Sequence, residues 1–274
     1  MVLHAVLCYK KTNQRISTFS IQSYWGDLNR SLNVLADTIF VLDEFARKIT
    51  LEKCHTCKVI ISGPLQEKRY KEIDVVRNRM TLTKKNKVIG FFGQPLFGYH
   101  WYKITIITFL EKLLELDFQF EILYKPHPNE TSESVSWTKN EIAKRNIDLV
   151  FSPRSDVLND ISITDLTVSL FSTVGYDLQN ILARSPIPFS TPLYLLYEEG
   201  CQKWREKYVG LTMMPMSDNG MALVVDQSSE LCNKILLGLD PKFQRDCHHI
   251  LKEKLNPRSK HSANIVLDGL LLKI

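Results

Sequence analysis

The chain has no apolar run near the roughly 20 residues that a membrane-spanning helix needs. Its short apolar start is followed by basic residues, the reverse of a signal peptide, which leads to the expectation of a cytoplasmic protein. It also lacks a Walker phosphate loop, a GxSxG elbow and an HExxH pair, so the commonest kinase, hydrolase and metalloprotease readings fall away. Internal repeats and low-complexity tracts are missing as well. Six cysteines are present but scattered. Cys54-His55-Thr56-Cys57 has CxxC spacing, yet no second pair accompanies it to close a zinc site, and no thioredoxin-like strand precedes it. Reduced cysteines are therefore expected. Asp156, Asp160 and Asp165 are too dispersed to suggest a carboxylate metal site, and His248-His249, in a charged helical stretch, reads as surface. No metal and no cofactor are expected.

What the chain does have is an ordinary globular composition, 44% hydrophobic and 24% charged over 274 residues, enough for one large domain or two modest ones. A net charge of +5 is mild. It suits a slightly basic soluble protein, and is compatible with an anionic ligand or an acidic membrane surface. Nucleic acid is not expected as a partner.

Residues 1 to 64 alternate quickly between short strands and helices. HAVLCY and TIFVL read as strands, SYWGDLNRSLNVL as a turn into a helix, and Asp43-Glu44 as an acidic helix start. The strand at Val59–Ile61 is ended by Gly63-Pro64. Residues 65–86 are rich in charge and read as an inter-domain linker, with Lys84, Lys85 and Lys87 solvated. From residue 87 to 274 a regular strand–helix rhythm sets in. Strands are predicted at 88–92, 119–124, 148–151, 166–170 and 187–189, then a helix at 195–207, an edge strand at 210–214 and closing helices. This alternation predicts an α/β fold, a Rossmann-type parallel sheet with helices on both faces. The helix after its first strand should pack through Trp101, Ile104, Ile107, Phe109, Leu113, Leu114 and Leu116.

The strand ends of a parallel sheet share one crevice, and two of them here carry chemistry. FEILY stops on Lys125-Pro126-His127-Pro128, where flanking prolines fix the backbone and aim the imidazole. DLTVSLF stops on Ser172-Thr173, where a helix begins, with Asp177 in its first turn. A His and a Lys on one side, with hydroxyls and unpaired N–H groups on the other, suit a phosphate ester. An exposed turn histidine and an ordinary serine N-cap would look the same locally; it is their pairing across neighbouring strands that favours a site. Gly93-Gln94 ends the first strand, where a small residue admits a ligand close to the backbone, although the pattern is not GxGxxG.

The KPHPNE stretch followed by DLTVSLFSTVGYDL resembles the C-terminal, nucleotide-binding half of GT-B-type glycosyltransferases. It is most similar to those with a His-Pro motif and a Ser-Ser/Thr motif: bacterial sialyl- and polysialyltransferases, and the CDP-glycerol glycerophosphotransferases. The resemblance covers about residues 35 to 190. It implies that His127 and Pro128, with Ser172 and Thr173, hold the phosphate and cytidine of a CMP- or CDP-linked donor. Gly93 and Gln94 at the first strand end and Lys125 beside His127 are added to the candidate site from the residues themselves, as a close backbone approach and a positive charge. The resemblance further implies a metal-independent transferase acting on a glycan or lipid-linked acceptor in surface-glycan synthesis, compatible with peripheral association with the inner membrane. Residues 1–64 would then be a remnant of the acceptor-side domain, and Asp27 a weak candidate for the acceptor-activating base. A UDP-sugar epimerase and a non-catalytic nucleotide-binding scaffold are the alternatives.

Overall fold

The computed structural model describes residues 19–21, 36–54, 56–80, 86–152, 156–208, 214, 217, 220–255 and 262–271. The expected HAVLCY strand, the SYWGDLNRSLNVL helix, Asp27, Lys84, Lys85 and most of the 210–214 strand lie outside the described residues. The chain divides into two compact units, one comprising residues 1–68, 206–210 and 258–274, the other residues 69–205 and 211–257.

In the first unit, β1 (Phe19–Ile21), β2 (Thr38–Val41) and β3 (Lys58–Ile61) form a three-stranded parallel sheet in the order β1-β2-β3. Ile39, Phe40 and Val41 on the central strand are fully buried, as expected for a parallel strand covered on both faces. Between β2 and β3 runs α1 (Glu44–Lys53). Its start is the acidic one expected: Asp43 is the N-cap, and its carboxylate accepts the Ala46 N–H at 2.7 Å. At its other end Cys54 and Cys57 are joined as a disulfide, not reduced as their isolation in the sequence suggested. The turn between α1 and β3 brings the two Cα atoms to 5.9 Å, inside disulfide range.

The second unit begins at Arg69, inside α2 (Glu67–Glu72), and continues through α3 (Val75–Met80). Both lie in the stretch read as a solvated linker. They carry fixed contacts: Tyr70 is buried, and Arg79 reaches the Asp165 carboxylate at 2.7 Å and the Thr164 carbonyl at 3.0 Å. The six-stranded sheet that follows consists of β4 (Lys87–Phe92), β5 (Phe120–Lys125), β6 (Leu149–Phe151), β7 (Leu166–Ser169), β8 (Pro192–Leu195) and β9 (Leu223–Val225). Every pair is parallel and the order is β6-β5-β4-β7-β8-β9. The chain therefore winds outward from β4 in one direction and from β7 in the other, and the crevice where it reverses lies at their carboxyl ends.

Helices α4 (His100–Leu113), α5 (Ser132–Ala143) and α9 (Leu231–Leu239) pack together on one side. Helices α6 (Val157–Ser162), α7 (Val174–Leu182) and α10 (Pro241–Lys254) do so on the other, with α3 against α6. On α4 the buried residues are Tyr102, Thr105, Ile106, Phe109, Leu110 and Leu113, while Leu114 is 52% exposed. The face predicted through Ile104, Ile107 and Leu114 is thus rotated by a step. Apolar residues occur almost all round this helix, so periodicity alone does not choose between adjacent stripes.

The last strands also fall differently from expectation. β8 forms at 192–195 instead of 187–189, because Pro186 and Pro188 remove the N–H groups a ladder would need. The helix predicted at 195–207 starts correspondingly later, as α8 (Glu199–Tyr208). The edge strand on this side of the sheet is β9, which, like β6 at the opposite edge, is only three residues long. His248 is buried on α10, its Nε2 3.1 Å from the Ser185 carbonyl, whereas His249 is exposed. Among the described residues no helix is long and apolar enough to cross a membrane.

Candidate functional site

At the carboxyl end of the six-stranded sheet lies a cleft of about 820 Å³, a size usual for small-molecule sites. Each wall follows from a strand end. β4 supplies Phe92 and Gly93, β5 supplies Lys125, Pro126, His127 and Pro128, the start of α6 supplies Asp156 and Val157, and the turn after β7 supplies Ser172, Thr173 and Val174. Glu130 after the β5 turn, Val135 on α5, Asp177 in the first turn of α7 and Arg69 on α2 complete the lining.

His127 is held by its own turn. Its N–H donates to Glu130 Oε2 at 2.7 Å, and Glu130 N–H returns to the His127 carbonyl at 2.9 Å. The Asn129 N–H donates to His127 Nδ1 at 3.1 Å. An Nδ1 that accepts carries no proton, so the proton resides on Nε2, and burial pushes the imidazole pKa below its ordinary value. The cleft is thereby offered a neutral N–H donor of fixed direction.

Glu130 is the post behind that turn. Its carboxylate also accepts Ser134 Oγ at 2.8 Å and the Tyr124 hydroxyl at 3.2 Å, and burial raises its pKa. The same carboxylate fills the space where a Cβ on Gly93 would stand. Glycine at 93 therefore makes room for Glu130, a reason that its place at a strand end did not reveal. Gln94 is not part of the lining. It is buried, with its N–H on the Tyr102 hydroxyl at 3.2 Å and its Oε1 accepting the Phe171 N–H at 3.1 Å, so it ties the β4 loop to the β7 loop.

On the facing wall, Thr173 occupies the N-cap position of α7 without a side-chain cap bond, and Ser172 Oγ accepts the Val174 N–H at 3.3 Å. The first-turn N–H groups of a helix have no intrahelical acceptor, and the positive end of the helix dipole lies with them. Asp177, four residues on, has its carboxyl pushed up to about 6 by burial, against which the Tyr70 hydroxyl donates to it at 2.5 Å.

The charges are distributed unevenly. Lys125 pairs with Asp160 at 3.2 Å, and both side chains are nearly buried, at 11% and 6% exposure. Asp160 also accepts Ser152 Oγ at 3.0 Å. The Lys125 charge that should have favoured an anion is thus matched by a carboxylate the sequence had left among scattered acids. Arg69 instead pairs with Asp156 at 2.8 Å in a half-exposed ion pair. Among the described residues no group of His, Cys, Asp and Glu is placed to hold a metal ion.

Of the residues predicted for the site, Gly93, Lys125, His127, Pro128, Ser172 and Thr173 line one cleft; Gln94 supports it, and Asp27 lies outside the described residues. Arg69 and Asp156 were missed. They are 87 positions apart, and nothing local marks either.

No protein-family model matches the chain, and no curated protein matches it in sequence. Solved structures do resemble it. UDP-GlcNAc 2-epimerase from Neisseria meningitidis bound to UDP-GlcNAc matches with a TM-score of 0.62 and 16% identity over 98% of this chain and 73% of that one. The N-terminal domain of trehalose-6-phosphate phosphatase from Candida albicans matches with a TM-score of 0.58 and 14% identity, over 100% and 70%. The Anabaena HepE protein in complex with UDP and glucose gives 0.57 and 12% identity, over 98% and 74%. At these identities the likeness is one of fold, and that fold is the GT-B-like, Rossmann-type arrangement of parallel sheet and flanking helices.

Proposed function

We propose that this chain binds a nucleotide-activated donor in the cleft and acts as a metal-independent glycosyltransferase of surface-glycan type, with a CMP- or CDP-linked sugar or alditol phosphate as donor. The observation that carries the reading is the convergence of the His127 Nε2–H, the Ser172 and Thr173 hydroxyls and the α7 N-terminus on one cleft, at the point where the strand order reverses. Phosphate oxygens need N–H and O–H donors from more than one side. His127 would donate to the leaving phosphate and stabilise the charge that develops there. The cytidine preference rests on the likeness of the KPHPNE and FST stretches to the His-Pro and Ser-Ser/Thr motifs. A uridine donor, or epimerase chemistry, is the second reading, favoured by the UDP and UDP-GlcNAc bound in the HepE and epimerase structures.

Calorimetric titration with CMP, CDP and UDP tests this. His127→Ala should weaken nucleotide binding by about tenfold or more, the worth of one hydrogen bond to a charged group, with little change in melting temperature. Cytidine-selective binding lost in the variant supports the transferase reading, and uridine preference shifts it to the second. Unchanged affinity in the variant removes His127 from the site.

A further inference from the structure

The two cations of the cleft differ in how firmly they are committed, and that difference decides which of them can meet an anion. Lys125 and Asp160 are a nearly buried pair, with Ser152 Oγ on the second carboxylate oxygen. Removing Lys125 from Asp160 would strand a buried charge, so the lysine stays where it is. Arg69 and Asp156 present the opposite case: their side chains are 50% and 38% exposed. An exposed pair of this kind holds weakly and exchanges readily. Asp156 would not be stranded by losing Arg69. Its Oδ1 is the N-cap acceptor for the Leu158 N–H at 3.0 Å, and only Oδ2 takes the guanidinium. Burial opposes ionisation of this carboxyl, but that N–H and Arg69 outweigh it and hold the pKa below the ordinary carboxylate value.

We propose that Arg69 is a ligand-binding residue, the cleft's exchangeable cation, which leaves Asp156 to take a phosphate group of the bound ligand. The proposal rests on the donor-binding reading of the cleft and names a residue on α2 that the strand-end motifs do not contain. A guanidinium presents several N–H donors in one plane, so it can bridge two phosphate oxygens as it now meets one carboxylate oxygen. His127 gives only a neutral N–H and Lys125 is held in its nearly buried pair with Asp160, so Arg69, in the exposed pair, is the cation that can turn to the ligand. The class of ligand is an anion with adjacent oxygens, a phosphate monoester or a diphosphate, in preference to an uncharged nucleoside.

The test is calorimetric titration of wild type, Arg69→Met and Arg69→Lys with inorganic pyrophosphate, CDP and cytidine, with thermal melting of each protein. Arg69→Met should weaken CDP and pyrophosphate about tenfold or more and leave cytidine within about twofold. Its melting temperature should hardly move, because an exposed pair contributes little to folding. Arg69→Lys should recover part of the loss, through charge without the planar fork. Wild-type affinity for CDP or pyrophosphate in Arg69→Met overturns the proposal, and so does an equal loss for cytidine. Arg69-dependent binding of pyrophosphate without any nucleotide binding upholds Arg69 and removes the nucleotide reading. Failure of the wild-type protein to bind either anion removes both.

Discussion

Asp177 joins the architecture of the cleft to its acid–base behaviour. Burial pushes its carboxyl up to about 6, well above the ordinary carboxylate value, although Tyr70 donates a hydrogen bond to it. The sign of the consequence is fixed by linkage. Between the unfolded and folded pKa values the native state holds a proton that the unfolded state has lost, so stability declines as pH rises from about 4 to about 6 and is level above that. Asp177→Asn keeps an oxygen for the Tyr70 hydroxyl and removes the ionisation. The variant should therefore lose this part of the pH dependence, and at pH 7.5 it should melt at or above the wild-type temperature. Thermal melts at pH 4.5, 6 and 7.5 check this. A wild-type protein that gains stability from Asp177 across that window, relative to the asparagine variant, would contradict the buried placement. His127 shows what the sequence discloses at this scale: a proline-flanked histidine announces a rigid turn. The Nδ1 acceptor that fixes its tautomer, and the Glu130 post that needs Gly93, arise only when the turn closes on itself.

Elements place these residues, and the seating of α7 on the sheet is the tightest instance. Gly175 in its first turn lies against the hydroxyl of Tyr194 on β8, in the space a Cβ would occupy. That hydroxyl is fully buried and has no hydrogen-bond partner among the described residues. Gly175→Ala should therefore destabilise the protein by about 1–3 kcal/mol through overpacking, and displace the helix start that carries Thr173. Tyr194→Phe removes the nearest obstructing atom and an unsatisfied polar group together but leaves the ring Cζ 2.6 Å from that position, so Gly175→Ala/Tyr194→Phe should recover part of the loss. Denaturant melts of the four proteins in a double-mutant cycle give the coupling, and additive effects would show that the contact is not the limiting one. The elements themselves were readable to the extent that burial wrote them into the sequence. β4, β5 and β7 stand out as apolar runs because parallel strands are covered on both faces. β9 did not stand out, since its three residues carry no period and it follows an irregular stretch, whereas β6, equally short, sits within the regular strand–helix rhythm. On α4 too many apolar positions compete for one buried stripe.

At the scale of the whole molecule, the two units rest on different kinds of stabilisation. The second has a six-stranded sheet between helical layers, with a contiguous core that includes Phe91, Phe109, Tyr124 and Leu193. The first has a three-stranded parallel sheet, one of whose strands is only three residues long, and it carries the disulfide of the described residues. A small apolar core gains most, in proportion, from a crosslink that restricts the unfolded chain. The pattern of strand, helix and strand was legible in the first unit, but Cys54 and Cys57 read as an isolated pair, because only the turn after α1 brings them together. Arg69 lay unmarked in the charged stretch read as a linker and Asp156 among dispersed acids, and only the fold brings the two to one cleft. The disulfide closes a short loop, for which chain entropy gives about 2 kcal/mol. Cys54→Ser/Cys57→Ser should lower the stability of the first unit by about that amount. It should leave the affinity of the cleft for CDP or pyrophosphate unchanged, since every residue lining the cleft belongs to the second unit. Hydrogen exchange resolved by segment, set beside calorimetric titration of the same variant, separates the two effects. Faster exchange confined to β2 and β3 with intact binding is the expected result, and loss of binding would mean that the cleft depends on the first unit for its shape.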